Sequence, residues 1–168
     1  MDNFSSESFS VLLSLGSNLG DRIGNLKKAI SMLSDSGCLF DIYLSSYYET
    51  EPYGYQEQPW FVNMALSAKC NVSPGNLLVT CKEIENLVGR KPRAKWHQRE
   101  IDIDLILFGN LMINDEFLQI PHPAMHKRLF VLVPSAEILG DSIHPELGLS
   151  INELLDKCSD NSIIKKIE

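Results

Sequence analysis

Apolar positions along the chain follow two periods, and the change from one to the other divides it into elements. Phe9 to Gly16 has strand character and ends in the turn Gly16-Ser17-Asn18-Leu19-Gly20-Asp21-Arg22. Ile23, Leu26, Ile30 and Leu33 then recur at helical spacing, which predicts a helix from about Asp21 to Ser34. Leu39 to Glu49 alternates as a second strand, and a Pro/Gly-punctuated loop, Thr50 to Pro59, separates it from a third at Trp60 to Lys69. That third strand sends Phe61, Asn63 and Ala65 to one face, with Trp60, Val62, Met64 and Leu66 on the other. Ser73-Pro74 opens a second helix with a core stripe of Leu77, Leu78, Cys81, Ile84, Leu87 and Val88, closed by Gly89. A fourth strand begins near Ile101 and runs into Leu105-Ile106-Leu107-Phe108 without polar relief, so it should be buried on both sides. A small hairpin around Asn114-Asp115, an apolar segment from Phe130 to Leu139 and a short helix from Ile151 to Lys157 complete the pattern.

Strand, helix, strand, strand, helix, strand is the order of a ferredoxin-like α+β unit: a mostly antiparallel sheet covered by helices. The 168 residues suit a single domain over 1–168, with loose tails expected at 1–8 and about 159–168. The formal net charge of −7 argues against a general nucleic-acid binder, because phosphate contacts need basic surface. No apolar run approaches a membrane span, and the N-terminus lacks the charged start and apolar core of a signal peptide. Cys38, Cys70, Cys81 and Cys158 form no Cys-x-x-Cys pair and read as reduced thiols, so a cytoplasmic location is expected.

Against the acidic background one stretch stands out. Arg90, Lys91, Arg93, Lys95 and Arg99 crowd a loop with no acid between Gly89 and Gln98, and the loop feeds directly into Asp102-Ile103-Asp104. Residues two apart in a strand share a face, so the two carboxylates project together while Ile101, Ile103 and Leu105 line the other side. Like charges so placed call for a cation between them. Magnesium binds through one or two carboxylates plus substrate phosphates, and the adjacent Arg/Lys cluster suits the remaining phosphate charge. The plain alternative, a solvated polar face beside a basic surface loop, explains poorly two carboxylates at the start of a doubly buried strand. Asn63 is the other unusual residue: an amide within a strand either bonds nearby backbone or reads a ligand.

Four separated motifs in register bear on the function. They are Leu15-Gly16-Ser17-Asn18-Leu19-Gly20-Asp21-Arg22; Tyr48-Glu49-Thr50-Glu51-Pro52 through Gln58-Pro59-Trp60-Phe61-Val62-Asn63; Arg99-Glu100-Ile101-Asp102-Ile103-Asp104; and Pro121-His122-Pro123 with Arg128-Leu129-Phe130-Val131-Leu132. Over about residues 10 to 140 the chain resembles the 6-hydroxymethyl-7,8-dihydropterin pyrophosphokinases of folate biosynthesis. The resemblance implies transfer of pyrophosphate from ATP to the pterin hydroxymethyl, giving AMP and the pterin diphosphate. It implies Asp102 and Asp104 as ligands of two Mg2+ ions, with Arg90, Arg93, Lys95 and Arg99 acting on the phosphates. ATP contacts would come from Glu85, Trp96, Arg99, Leu105, His122 and Arg128. Pterin contacts would come from Gly16, Thr50, Pro52, Tyr53, Phe61, Asn63 and Phe130, with Phe61 and Phe130 stacking on the ring. Association with other folate enzymes is a further implication; nucleic acid and membrane are not expected partners.

The chain also departs from that family's pattern. Lys95-Trp96-His97-Gln98-Arg99 replaces the usual Arg-Trp-Gly-Pro-Arg, Pro92-Arg93 shifts the loop arginines, Lys82 stands where an amide is common, and Phe117 and Gln119 replace polar hairpin residues. These changes bear on nucleotide affinity and loop motion more than on reaction type. A non-catalytic binding module on the same scaffold would be expected to lack a metal ligand or a stacking ring, and neither is missing. A glycosyltransferase or phosphohydrolase using Asp-x-Asp would need a longer chain or clustered histidines.

Overall fold

The computed structural model describes residues 7–167. Its main sheet is antiparallel, built from β1 (Phe9–Ser17), β2 (Leu39–Leu44), β3 (Tyr48–Thr50), β4 (Phe61–Cys70), β5 (Asp102–Phe108) and β8 (Ile164–Lys166). The order is β5-β1-β4-β3-β8, with β2 also on β4. Helices α1 (Arg22–Asp35) and α2 (Pro74–Val88) follow β1 and β4, and α3 (Leu129–Leu139) and α4 (Ile151–Lys157) follow a small hairpin of β6 (Ile113–Asn114) and β7 (Gln119–Ile120). The ferredoxin-like order predicted from sequence is therefore present, with one strand of it broken in two. Leu39 to Glu49 does not run as one strand, because Ser46 leaves the sheet to donate from its N–H and Oγ to Glu137 on α3, at 3.0 and 2.7 Å. Pairing with β4 resumes beyond the break, β2 on its far half and β3 on its near half.

The alternation along the central strands assigns the two faces. Val11, Leu13 and Leu15 of β1, Val62, Met64 and Leu66 of β4, and Ile103 and Leu105 of β5 form one core with Leu26, Ala29 and Leu33 of α1 and Leu77, Cys81 and Ile84 of α2. On the opposite face Leu12, Ala65, Ile106 and Leu107 pack under Val131 and Leu132 of α3 and Ile151 and Leu154 of α4. That second pair of helices covers only one end of its face. At the other end the same alternation presents Ser14, Gly16, Asn63, Asp102 and Asp104, aligned across the strands as Ser14↔Asp104, Gly16↔Asp102 and Gly16↔Asn63. One sheet face is thus apolar under helices at one end and polar at the other.

Two expectations need correction. Leu87 is 69% exposed, whereas Glu85 is buried at 3% and completes the inward stripe of Leu77, Cys81, Ile84 and Val88. The carboxylate is tolerated there because it accepts from the Ile103 N–H at 2.8 Å and pairs with Arg90 at 2.9 Å. The C-terminal tail is not loose: Ile164–Lys166 adds to β3 with Thr50↔Ile164 and Tyr48↔Lys166 in register. The expected N-terminal tail lies largely outside the described residues.

Phe108 is fully buried at the end of β5 and meets the Phe9 ring at 5.3 Å. Phe108→Ala should lower unfolding free energy by about 3–5 kcal/mol, as for other buried aromatic truncations, measured by urea titration at unchanged m-value.

Candidate active site

The polar end of the sheet is shaped by a glycine. A Cβ on Gly16 would lie 2.3 Å from Asn63 Oδ1, so only glycine lets the Asn63 side chain lie across β1. There Asn63, 4% exposed, donates from Nδ2 to Thr50 Oγ1 at 2.7 Å. Asn63 is satisfied by a neighbouring side chain, not by backbone as one expectation had it, and it lines the cavity.

That cavity, of about 230 Å³, has the sheet as floor and two loops and the start of α3 as walls. Phe61, Tyr53, Trp96 and Phe130 supply its aromatic lining. The Arg128 guanidinium lies 5.0 Å from the Tyr53 ring centre, 5.7 Å from Phe130 and 5.8 Å from Trp96. Its buried Nε has no protein partner among the described residues. His122 Nδ1 accepts the Ala124 N–H at 3.2 Å, which leaves Nε2 as the protonated nitrogen of a neutral ring. Burial, reinforced by Arg128, pushes its pKa down to about 4, so it stays neutral near pH 7.

The two aspartates are unequally satisfied. Asp102 Oδ1 accepts from Arg90 at 2.8 Å and Oδ2 from Arg99 at 2.6 Å. Against the opposing effect of burial, Arg99 and Arg90 hold its carboxyl below the usual range. Among the described residues Asp104 has no hydrogen-bond donor and no ion pair. Burial, with Asp102 beside it, pushes its pKa up to about 7. A half-buried acid without a donor, next to a carboxylate, fits a divalent cation whose other ligands come from substrate oxygens and water. No cluster of three or more His, Cys, Asp or Glu able to hold a metal exists among the described residues, so protein ligands alone would not complete such a site.

The loops are joined beneath the cavity by Asn18, which is 1% exposed. Its N–H donates to Arg99 O at 3.1 Å and its Oδ1 accepts from Arg99 N at 2.8 Å. Its Nδ2 donates to Gln58 Oε1 and Pro59 O, at 2.9 and 3.0 Å. Gln58 in turn donates to Trp96 O at 2.7 Å. Gly54 lies close under the Trp96 ring, where a Cβ would sit 3.1 Å from Cε3.

Comparison with known proteins now bears on this arrangement. The sequence profile of the 7,8-dihydro-6-hydroxymethylpterin-pyrophosphokinase (HPPK) family matches residues 12–140. The chain belongs to the HPPK family. It is 43% identical over 126 residues to a Bacillus subtilis 2-amino-4-hydroxy-6-hydroxymethyldihydropteridine pyrophosphokinase, covering 75% of each chain. To the Haemophilus influenzae protein of the same name it is 37% identical over 153 residues, covering 91% of this chain and 95% of that one. Among solved structures, Plasmodium falciparum HPPK-DHPS superposes with a TM-score of 0.72 at 18% identity, over 92% of this chain and 44% of that longer one. At that identity the likeness bears on fold alone.

Of the residues expected at an HPPK site, Gly16, Thr50, Tyr53, Phe61, Asn63, Lys95, Trp96, Arg99, Asp102, Asp104, His122, Arg128 and Phe130 line this one cavity. Five others do not. Arg90 stands behind Asp102, held by Glu85; Arg93 is turned onto Glu100 by a two-pronged contact at 2.8 Å for each nitrogen; Leu105 is core, and Pro52 is buried in its loop. Glu85 lies under the loop rather than in the cavity wall, as described above. Ser14, Glu51, Gln58 and His97 line the cavity without having been singled out as site residues. Ser14 was within reach of the period-two alternation, being two positions before Gly16 and opposite Asp104.

The unequal aspartates predict opposite stability effects. In the unfolded chain Asp104 ionises near the ordinary carboxylate value; in the folded, metal-free protein it resists until about pH 7. The penalty therefore grows as pH rises between those values and is complete above both. Asp104→Asn should raise the melting temperature in EDTA, and more at about pH 8 than at about pH 5.5. Asp102→Asn should lower it at both, because the carboxylate charge between Arg90 and Arg99 is lost. Thermal melts at the two pH values check both signs.

Proposed function

We propose that this cavity is where the chain carries out its family's reaction: transfer of the pyrophosphoryl group of ATP to the hydroxymethyl of 6-hydroxymethyl-7,8-dihydropterin, a step of folate biosynthesis. The observation that carries the assignment is the placement of an aromatic-walled polar pocket and an under-neutralised Asp pair side by side on one sheet face.

A pterin is flat and polar-edged. Phe61 and Phe130 suit its faces, Asn63 and Thr50 suit its edge, and the backbone around Gly16 and Tyr53 closes the sides. ATP lies toward Trp96, Arg99, His122 and Arg128, with Lys95 on the loop side of the phosphates. The hydroxymethyl oxygen attacks the β-phosphorus in line, the bond from that phosphorus to the α,β-bridging oxygen breaks, and AMP leaves. Asp102 and Asp104 would hold two Mg2+ ions, which when bound neutralise phosphate charge and lower the cost of charge on the attacking and leaving oxygens. The residues of the chain position and compensate charge. Arg99 and Arg90 keep Asp102 ionised and oriented, the neutral His122 offers an Nε2–H donor, and Arg128 offers a guanidinium in an aromatic setting. Arg93, paired with Glu100, and Glu85, paired with Arg90, act on the loop and on Asp102 rather than on substrate. Leu105 supports the strand from its core side.

The chain acts in the cytoplasm in this reading, consistent with four unpaired cysteines among the described residues and with no helix there long and apolar enough to cross a membrane. The joining of HPPK and DHPS in the Plasmodium chain supports association with other folate enzymes.

Nucleotide product analysis with ATP and Mg2+ should yield AMP only when the pterin is present; pterin-dependent ADP instead would contradict pyrophosphoryl transfer. Asp102→Asn or Asp104→Asn should cut turnover by at least about 10²-fold. Phe130→Ala should weaken pterin binding by about 0.5–1.5 kcal/mol from stacking, plus lost burial, by calorimetry.

A further inference from the structure

The C-terminal segment touches two separate walls of the pocket without entering it. Strand β3, which carries Thr50, is only three residues long and sits between β4 and β8. Just beyond it, Glu51, a cavity residue, donates from its N–H to Ile163 O at 3.1 Å, and its Oε2 accepts the Ile163 N–H at 2.8 Å. Ile167 N donates to Tyr47 O at 3.0 Å. These two bonds flank Glu49↔Lys165 and make it the hydrogen-bonded pair between them.

The other wall is the start of α3, where Arg128 and Phe130 enter the cavity. Arg128 occupies the N-cap position of that helix without a side-chain cap hydrogen bond. The exposed helix N–H is met from the tail: Leu129, between the two pocket residues, donates to Asp160 Oδ2 at 2.9 Å. Asp160 Oδ1 accepts from Ser162 N at 2.9 Å and Ser162 Oγ at 2.7 Å, which fixes its orientation. Further along, Lys166 comes within 4.0 Å of Glu137, the α3 residue that also holds Ser46 and Tyr48.

We infer that residues 160–167 act as a positioning clamp for the pterin end of the site, holding Thr50 and Glu51 on one wall in register with Arg128 and Phe130 on the other. The inference rests on placing the pterin between those walls, as proposed above. Covering a sheet edge would by itself require pairing with β3 but not the reach of Asp160 to α3. Of the residues placed on the nucleotide side only Arg128 adjoins this segment, whereas the Asp pair and the loop from Arg90 to Arg99 make no hydrogen bond to it among the described residues, so the clamp acts on the pterin more than on the nucleotide.

The test uses the full chain with Asp160→Ala, which removes the acceptor for Leu129, Asp160→Asn, which keeps one, and Lys165→Pro, which removes a ladder donor. Calorimetry measures 6-hydroxymethylpterin binding in the presence of Mg2+ and a non-hydrolysable ATP analogue, and separately the binding of that analogue with Mg2+. Asp160→Ala and Lys165→Pro should each raise the pterin Kd by about fivefold or more, roughly 1 kcal/mol, with a clearly smaller rise in the nucleotide Kd, to which this segment connects through Arg128 alone. Asp160→Asn should bind pterin like the wild type. Unchanged pterin affinity in Asp160→Ala and Lys165→Pro would overturn the clamp, as would equal weakening of both ligands. If Lys165→Pro fails to fold, the Asp160 pair alone decides, since both substitutions leave the strand intact. Failure of the wild type to bind the pterin at all would overturn the placement of the pocket itself.

Discussion

The structure depends on a shortage of positive charge at one place. The period-two geometry of β5 forces Asp102 and Asp104 onto the same sheet face, and burial raises the cost of keeping both ionised. Two arginines converge there, and both are spent on Asp102. Asp104 is left to be neutralised by a proton or by something brought in. In the proposed reaction a nucleotide–magnesium complex would supply the missing charge along with the oxygens that complete the metal's ligands. Affinity for that complex and instability of the metal-free site are therefore two aspects of one arrangement.

Other features keep that end of the sheet open and polar. Helices α3 and α4 cover the far end of the same face, where Leu12, Ala65 and Ile106 supply an apolar surface, and stop where Ser14, Gly16 and Asn63 begin. Glycine at position 16 removes the one Cβ that would displace Asn63. Asn18 then ties both cavity loops to the end of β1, so the loop from Thr50 to Pro59 and the cationic loop share a common anchor.

Much of this was legible in sequence. The alternation through β1, β4 and β5 carries both the face assignment and the pairing of Asp102 with Asp104, because strand geometry leaves little freedom. Other features depend on contacts between distant segments. Leu87 and Glu85 lie on opposite edges of the Leu77, Cys81, Ile84 and Val88 stripe, and which edge turns inward depends on distant partners: Glu85 is taken in by Arg90 and the Ile103 N–H. The apparent loose tail becomes β8 because β3 offers it a free edge more than a hundred residues upstream. Arg93 and Leu105 carried family positions without the geometry: one guanidinium is taken by Glu100, and the leucine is on the helix-covered side of its strand.

The most direct test of the central claim is metal stoichiometry. Manganese(II) titration followed by electron paramagnetic resonance, with a non-hydrolysable ATP analogue present, would count ions in the wild type and in Asp104→Asn. The account predicts two bound ions in the wild type and fewer in the variant, because Asp104 is the carboxylate with no other partner. Equal stoichiometry and affinity in the two proteins would contradict it and move the cation elsewhere on the nucleotide.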